Sequence, residues 1–170
     1  NAWAIGARNG GAEIYRHTPV IETNQRPDTS WDVVTPNGTI HAQRIVNAAG
    51  LWGREVGALA GVYLPMMPLE HHYFVTDEIA EVAAMGHELP LIGDADAEYY
   101  MRQEGRGLLL GVYEDTATHW SENGTPLDFG HELLPDALER IERNLMQAVE
   151  SVPVMGDAGV KRVINGPIMF

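Results

Sequence analysis

Cysteine is absent from this sequence of 170 residues, and basic residues are scarce. Without cysteine the chain has no disulfide framework, no thiol nucleophile and no thiolate ligand for a metal ion. Lysine and arginine total 11 against 24 acidic residues, and the formal charge of -13 repels a phosphate backbone. The composition therefore argues against nucleic-acid binding. The lack of cysteine fits a reducing compartment, and we expect a cytoplasmic location.

Long apolar runs are missing as well. No stretch approaches the roughly 20 apolar residues that a membrane-spanning helix needs, so no membrane segment is expected. Residues 1–6 carry neither an initiator methionine nor the basic head of a signal peptide. Residues 166–170 form an apolar end without a polar tail. We therefore expect the chain to be an excerpt of a longer protein.

Several catalytic motifs are absent or incomplete. The sequence has no Gly-x-Ser-x-Gly, no phosphate loop and no Gly-x-Gly-x-x-Gly. His131 begins a zinc-protease pattern, but Pro135 stands where the second histidine is required. Asp94, Asp96 and Glu98 alternate like the ligands of a hard cation, but nothing else around them resembles a calcium loop. A solvated acidic loop is the better interpretation, and no metal site is predicted.

The first part of the chain, residues 1–64, has the pattern of an incomplete α/β domain. Its clearest signal is Asn37-Gly38 between two β-prone runs, which predicts a hairpin. The other predicted elements are a helix over residues 2–10, a strand over 13–22, a short buried strand over 45–50 and a helix over 51–60.

The second part, residues 65–170, has the pattern of an α+β domain in which helices cover a mostly antiparallel sheet. A helix is predicted over residues 135–149, where Pro135 occupies the first turn and apolar residues recur at three- and four-residue spacing. The remaining predictions are a strand over 71–76, a helix over 78–85 capped by Asp77, a hairpin of 98–104 with 108–113, and a last strand over 161–165.

Residues 44–52 contain the first stretch with functional potential. An apolar run leads into Ala48-Ala49-Gly50, and small residues at the carboxyl end of a strand allow a ligand or another backbone to come close. The same pattern also suits a tight packing point between a strand and a helix, which composition alone favours.

Two later strands carry residues suited to proton transfer and anion binding. On the first strand, His71 and His72 point to opposite faces because side chains alternate along a strand. On the second, Tyr100 and Arg102 share a face. A lone histidine on an apolar strand is more often structural than catalytic, and paired aromatic residues on a strand are usually packing.

Taken together, these stretches resemble the D-amino-acid-oxidase superfamily of FAD-dependent enzymes. The motif Asn47-Ala48-Ala49-Gly50 is specific for the superfamily. The His-x-Tyr and Tyr-x-Arg strands are similar to its branch of dimethylglycine dehydrogenase, dimethylglycine oxidase and sarcosine dehydrogenase. The matching segments are residues 11–14, 18–20, 31–33, 36–38, 44–52, 71–73, 100–102, 107–111, 113–114, 135–149 and 166–170.

The resemblance implies FAD as the cofactor and assigns different roles to the two parts of the chain. Residues 1–64 would be part of a Rossmann-type, glutathione-reductase-like FAD-binding domain, and residues 65–170 would be the substrate-binding α+β domain. Val20, Ala49, Gly50 and Trp52 would contact the flavin. The family's dinucleotide fingerprint and the histidine that can tether FAD lie upstream of these segments, and a second flavin-contacting segment lies downstream. The isolated chain is therefore expected to lack bound FAD, to be inactive, and to depend on the missing segments of its own chain.

The resemblance also implies a reaction, the oxidation of an N-methyl amine such as dimethylglycine or sarcosine. His71 would accept the proton of the substrate amine, since imidazole titrates near neutral pH. Tyr100 would anchor the substrate, and we expect both side chains to project from neighbouring strands towards one face. Arg102 would supply a positive charge to the carboxylate, an inference from strand period. The resulting iminium would be hydrolysed, or its carbon would be captured by folate in a separate domain.

Two alternatives belong to other classes. A non-catalytic binding or interaction module on a degenerate flavoenzyme scaffold would give the same sequence pattern. A metal hydrolase using His71 and His72 is disfavoured because the ligand spacing is wrong. A Gly-x-Gly-x-x-Gly after a strand, upstream of Asn1, would favour the flavoenzyme.

Overall fold

The computed structural model describes residues 1–130 and 132–170. The chain divides into two compact units, Asn1–Pro65 and Met66–Phe170. This division lies one residue from the boundary expected after residue 64. The roles assigned to the two parts stay predictions.

The first unit contains a three-stranded antiparallel sheet in the order β1-β2-β3. The hairpin pairs Thr35 with Gly38, so its turn residues are Pro36 and Asn37 rather than Asn37 and Gly38. The Thr35 hydroxyl closes this turn, since it donates to the Gly38 carbonyl at 2.7 Å and accepts from the Asn37 N–H at 3.2 Å. The elements are α1 (Ala2–Asn9), β1 (Glu22–Gln25), β2 (Trp31–Thr35), β3 (Gly38–Ala42) and α2 (Gly53–Leu59).

Two strands expected in the first unit are wrong. Residues 13–21 are irregular, and residues 45–49 lead without strand pairing into a 3₁₀ turn, Gly50–Trp52. A strand requires a hydrogen-bonded neighbour, and no strand among the described residues pairs with 45–49. Val46 is consequently 86% exposed rather than buried. The helices expected over 2–10 and 51–60 are present as α1 and α2.

The second unit contains a five-stranded sheet in the order β5-β6-β7-β4-β8, in which every neighbouring pair is antiparallel. This confirms the mostly antiparallel sheet with helices expected from the sequence. The elements are β4 (Pro68–Thr76), α3 (Ala80–Ala83), β5 (Ile92–Asp94), β6 (Tyr99–Glu104), β7 (Gly107–Val112), α4 (Glu142–Ser151) and β8 (Val160–Met169). No helix in the described part of the chain has both the length and the apolar character needed to cross a bilayer.

The core lies on one face of this sheet. Met101, Leu110 and Phe74 form one row across β6, β7 and β4, and all three are at most 2% exposed. Ile141 and Ala148, from the 3₁₀ turn Leu138–Ile141 and from α4, pack against that face. The side chains of His71, Tyr73 and Tyr100, on the opposite face of the sheet, lie outside this core.

Helix α4 begins at Glu142, later than the predicted start at Pro135. The segment before it is held by the sheet instead. Asn165 Nδ2 donates to the Pro135 carbonyl at 2.7 Å, and the Ala137 N–H donates to His72 Nε2 at 3.3 Å. These long-range bonds outweigh the local helical pattern and keep the segment irregular.

Helix α3 is also shorter than the predicted helix over 78–85. The residue before its first turn is Ile79, with no side-chain cap, so the prediction of an Asp77 cap is wrong. The Asp77 N–H instead donates to the Gly159 carbonyl at 2.7 Å, which ties this connection to the chain that leads into β8.

Candidate functional site

The face of the sheet opposite the core carries a cluster of aromatic and histidine side chains. Gly111 pairs with Tyr73 on one side and with Tyr100 on the other, so these two tyrosines point to the same face. His71 shares that face because it lies two residues before Tyr73 on β4. The Tyr113 ring lies 5.5 Å from the His71 ring and 6.0 Å from the Tyr100 ring, so it bridges them.

The predicted arrangement of strands is wrong in one respect, since β7 lies between β4 and β6. Gly111 on β7 allows the Tyr100 ring to lie over the strand that separates it from β4. A Cβ built on Gly111 would overlap the Cζ and hydroxyl of Tyr100, so the tyrosine ring lies across the β7 backbone. Glycine at position 111 therefore provides the space that this ring occupies.

The Tyr100 hydroxyl is held in its protonated form. Burial raises the pKa of Tyr100, and the nearby Tyr113 and Tyr73 raise it further. A protonated phenol can donate a hydrogen bond to an anion. The Tyr100 hydroxyl, on the same sheet face as His71, is thus suited to bind a carboxylate.

Behind His71 lies the carboxylate of Glu114, whose role the sequence pattern did not reveal. Its side chain is 5% exposed, with Oε1 2.7 Å from His72 Nδ1 and Oε2 3.6 Å from His71 Nδ1. Burial disfavours the charge on Glu114, but the interactions with His71 and His72 lower the pKa of this carboxyl from 4.5 to about 2. Glu114 is therefore an anion at neutral pH, shared by two consecutive histidines.

Further polar groups surround Glu114 on the core side. Arg140 Nη2 lies 3.7 Å from Glu114 Oε1, and Arg140 Nη1 lies 2.7 Å from Glu70 Oε2. Asn165 Nδ2 donates to the same Glu70 oxygen at 3.0 Å. Arg140, which Glu70 holds in place, therefore contacts the Oε1 side of the Glu114 carboxylate. The Oε2 atom of Glu114 is directed towards His71.

Arg102 shares the sheet face with Tyr100 but is not brought close to His71. It pairs with Leu109, further along β6, whereas His71 lies in the opposite direction along the sheet. Its guanidinium forms an ion pair with Glu104 at 2.6 Å, and its side chain is 46% exposed. Its substrate-binding role stays a prediction.

The predicted cofactor residues of the first unit lie around the 3₁₀ turn. Gly50 has φ +55°, and no heavy atom lies within 4 Å of the position that a Cβ would occupy. Asn47 bonds to the backbone on both sides of the turn. Its Oδ1 accepts from the Ala49 N–H at 3.2 Å, and its Nδ2 donates to the Gly53 carbonyl at 2.8 Å. The backbone at Gly50 is therefore ordered and open to a ligand.

Trp52 and Val20 occupy different positions in the first unit. Trp52 ends the 3₁₀ turn, and its N–H donates to the Ala49 carbonyl at 3.1 Å. Val20 lies two residues before β1 and is 39% exposed. The assignment of both residues to flavin binding stays a prediction.

No group of three or more His, Asp or Glu side chains in the described ranges is placed to hold a metal ion. His131, which begins the incomplete zinc pattern, lies outside the described residues.

Fold and sequence together place the chain in a class. The sequence pattern of the DAO family, described as FAD dependent oxidoreductase, matches residues 1–168, and the chain belongs to this family. It is 45% identical, over 99% of its length, to the mitochondrial dimethylglycine dehydrogenase of Mus musculus, and 34% identical to the mitochondrial sarcosine dehydrogenase of Homo sapiens. The chain spans 20% and 18% of those two proteins.

A solved structure supports the fold. The L-proline dehydrogenase of P. horikoshii superposes with a TM-score of 0.73 at 20% identity, over 98% of this chain and 41% of that one. The sequence comparisons confirm the predicted family, and the solved structure confirms the predicted fold class.

Proposed function

We propose that this chain is part of a flavin-dependent oxidoreductase that oxidises an N-methyl amino acid such as dimethylglycine or sarcosine. The observation that carries the proposal is the cluster of His71, Tyr113 and Tyr100 on one sheet face, with the Glu114 anion behind His71. The likeness to two N-methyl amino acid dehydrogenases supports the substrate class.

FAD is the cofactor of the family, and the open, ordered backbone at Gly50 fits a ligand that approaches the main chain closely. We assign Gly50 and Ala49 to cofactor binding, together with Val20 and Trp52. When bound, the flavin supplies the electron acceptor for the hydride equivalent that leaves the N-methyl carbon. Folate as the acceptor of the released carbon, and the cytoplasmic location, stay predictions.

His71 acts as the proton acceptor in this proposal. A protonated amine has no lone pair to assist hydride loss, so a base must first remove its proton. His71 Nδ1 faces Glu114, which leaves the other ring nitrogen, Nε2, for the substrate. The buried anion stabilises the imidazolium that forms when Nε2 takes the proton.

Tyr100 positions the substrate. Its protonated hydroxyl donates a hydrogen bond to the substrate carboxylate, and this charge-assisted bond orients the amine towards His71. Because the bond is made before and during the reaction alike, it contributes mainly to binding.

Anaerobic mixing of the full-length, FAD-loaded parent protein with substrate tests the proposal. Dimethylglycine and sarcosine are expected to bleach the absorbance of oxidised flavin. Trimethylglycine is the matched control, because it keeps the carboxylate and methyl groups but has no lone pair on nitrogen. If neither dimethylglycine nor sarcosine bleaches the flavin, the proposal fails and the alternative of a non-catalytic binding module is favoured.

A further inference from the structure

Glu114 lies just beyond the end of β7, where its side chain can reach both faces of the sheet. The ladder between β4 and β7 covers only Tyr73 to Val75, so the edge of β4 at His71 and His72 faces the chain that follows β7. The two histidines point to opposite faces, and a carboxylate beyond the end of β7 is in reach of both. One anion therefore connects a core histidine with a histidine of the candidate site.

The protonation of His72 is set by its two partners. His72 is fully buried, and its Nε2 accepts the Ala137 N–H at 3.3 Å. A ring nitrogen that accepts a hydrogen bond carries no proton, so the proton of neutral His72 is on Nδ1. It is donated to Glu114 Oε1 at 2.7 Å. His72 thus fixes the carboxylate through its Nδ1–H.

The charges around Glu114 do not cancel. Glu70 and Glu114 bring two negative charges, while Arg140 brings one positive charge and neutral His72 brings none. Tyr113, the other titratable group against His71, is in contact through its ring. One negative charge therefore remains in the group that contacts His71.

We propose that Glu114 is the positioning residue of His71: it holds the Nδ1–H tautomer, directs the Nε2 lone pair to the open sheet face, and balances the imidazolium formed there. This assignment rests on the proposed function for its catalytic consequence, but the tautomer is a property of the protein alone. In the step itself the proton leaves the substrate ammonium nitrogen and binds Nε2, while the Nδ1–H bond stays intact. No further reactant is required.

Glu114→Gln should reverse the tautomer of His71. Glutamine has one acceptor oxygen, and neutral His72, with Nε2 already accepting from Ala137, requires that oxygen for its Nδ1–H. The amide NH₂ then faces His71 Nδ1, which must present a lone pair and move its proton to Nε2. The base would lose the lone pair that takes the substrate proton.

The test is the ¹⁵N spectrum of protein labelled in histidine, in which His71 is assigned by its loss in a His71→Gln variant. The wild type should show the Nδ1–H tautomer of His71, and Glu114→Gln should show the Nε2–H tautomer. Asp115→Asn is the matched control, because it removes an adjacent exposed carboxylate that pairs with Arg143. An Nε2–H tautomer of His71 in the wild type would overturn the proposal even if the variant did not fold, as would an unchanged tautomer in a folded variant.

Flavin reduction gives the second measurement. In the full-length, FAD-loaded parent protein, Glu114→Gln should slow reduction by dimethylglycine at least about tenfold at neutral pH, with the deficit shrinking at high pH, where solvent deprotonates the amine. A deficit of the same size at every pH would contradict the positioning role. If the wild type itself does not reduce flavin, the proposed function fails, and the tautomer spectra still decide what Glu114 does to His71.

Discussion

At the scale of single residues, Gly111 decides where the Tyr100 ring lies. A methyl group at this position would overlap the ring, so Gly111→Ala must displace the hydroxyl from the cluster with His71. We expect KM for dimethylglycine to rise about tenfold, the equivalent of one lost hydrogen bond to a charged group. Gly93→Ala is the matched control, since Gly93 pairs with Tyr100 from β5 and has open space around its Cα. Equal KM values for the two variants would contradict the assignment.

The second prediction at the residue scale concerns the removal of the His71 imidazole. Without it the substrate must arrive with a neutral amine, and that fraction shrinks as pH falls. His71→Ala should therefore lower kcat/KM by about a hundred- to ten-thousandfold at low pH, with the deficit narrowing as pH rises. The measurement is kcat/KM against pH for dimethylglycine, with His119→Ala as control, since His119 forms an exposed pair with Glu122. A constant ratio of wild type to His71→Ala would make His71 a structural residue.

At the scale of elements, the sequence pattern correctly predicted the helices and strands that are determined by interactions between residues close together in the chain. The hairpin of β6 and β7 turns at Gly105 and Arg106 as expected, and β4 contains the strand expected from residue 71 onwards. The late start of α4, at Glu142 rather than at Pro135, could not be predicted from the sequence, because the residues that hold the preceding segment, Asn165 and His72, are distant in the chain. The strand over 45–50 was wrong because it finds no partner among the described strands.

The same distinction applies to the candidate site. Strand alternation predicted that His71 and His72 lie on opposite faces of the sheet, and the full burial of His72 on the core face agrees with this prediction. The roles of Gly111 and Glu114 were missed because both depend on the cross-strand register and on where β7 ends. Neither property leaves a periodic signal in the sequence.

Asn165 tests how strongly the sheet holds the segment before α4. Its Nδ2 donates to Glu70 and to the Pro135 carbonyl, and its side chain is 1% exposed. Asn165→Ala should lower the free energy of unfolding by about 2 kcal/mol, because one hydrogen bond to the Pro135 carbonyl and one to the charged Glu70 carboxylate are lost. Urea denaturation measures the loss, and Asn123→Ala, at an exposed turn, should have little effect. Equal stability of both variants would show that the segment is held by other contacts.

At the scale of the whole molecule, the buried apolar side chains are distributed unevenly. Every fully buried hydrophobic side chain among the described residues belongs to the second unit. In the first unit, Trp3 and Val46 are 92% and 86% exposed, and the buried residues are small or polar. Since burial of apolar surface supplies most of the stabilisation of a fold, the second unit carries the stability of this chain.

The Glu114 carboxylate links that stability to pH. Its pKa is lowered in the fold, from 4.5 to about 2, so the folded state binds this proton less readily than the unfolded chain does. The resulting stabilisation is complete above the unfolded pKa, and it is lost as pH falls from about 4.5 towards about 2. A shift of this size corresponds to at most about 3 kcal/mol.

Glu114→Gln should therefore flatten the dependence of unfolding free energy on pH within that acid window, because the glutamine amide does not titrate. Urea denaturation between pH 2 and about pH 6 measures the slope for both proteins. Asp128→Asn is the control, since Asp128 is an exposed carboxylate of the same unit and should leave the slope close to that of the wild type. If wild type and Glu114→Gln lose stability in parallel as pH falls, the Glu114 carboxylate is not ionised and stabilised by His71 and His72 in the folded state.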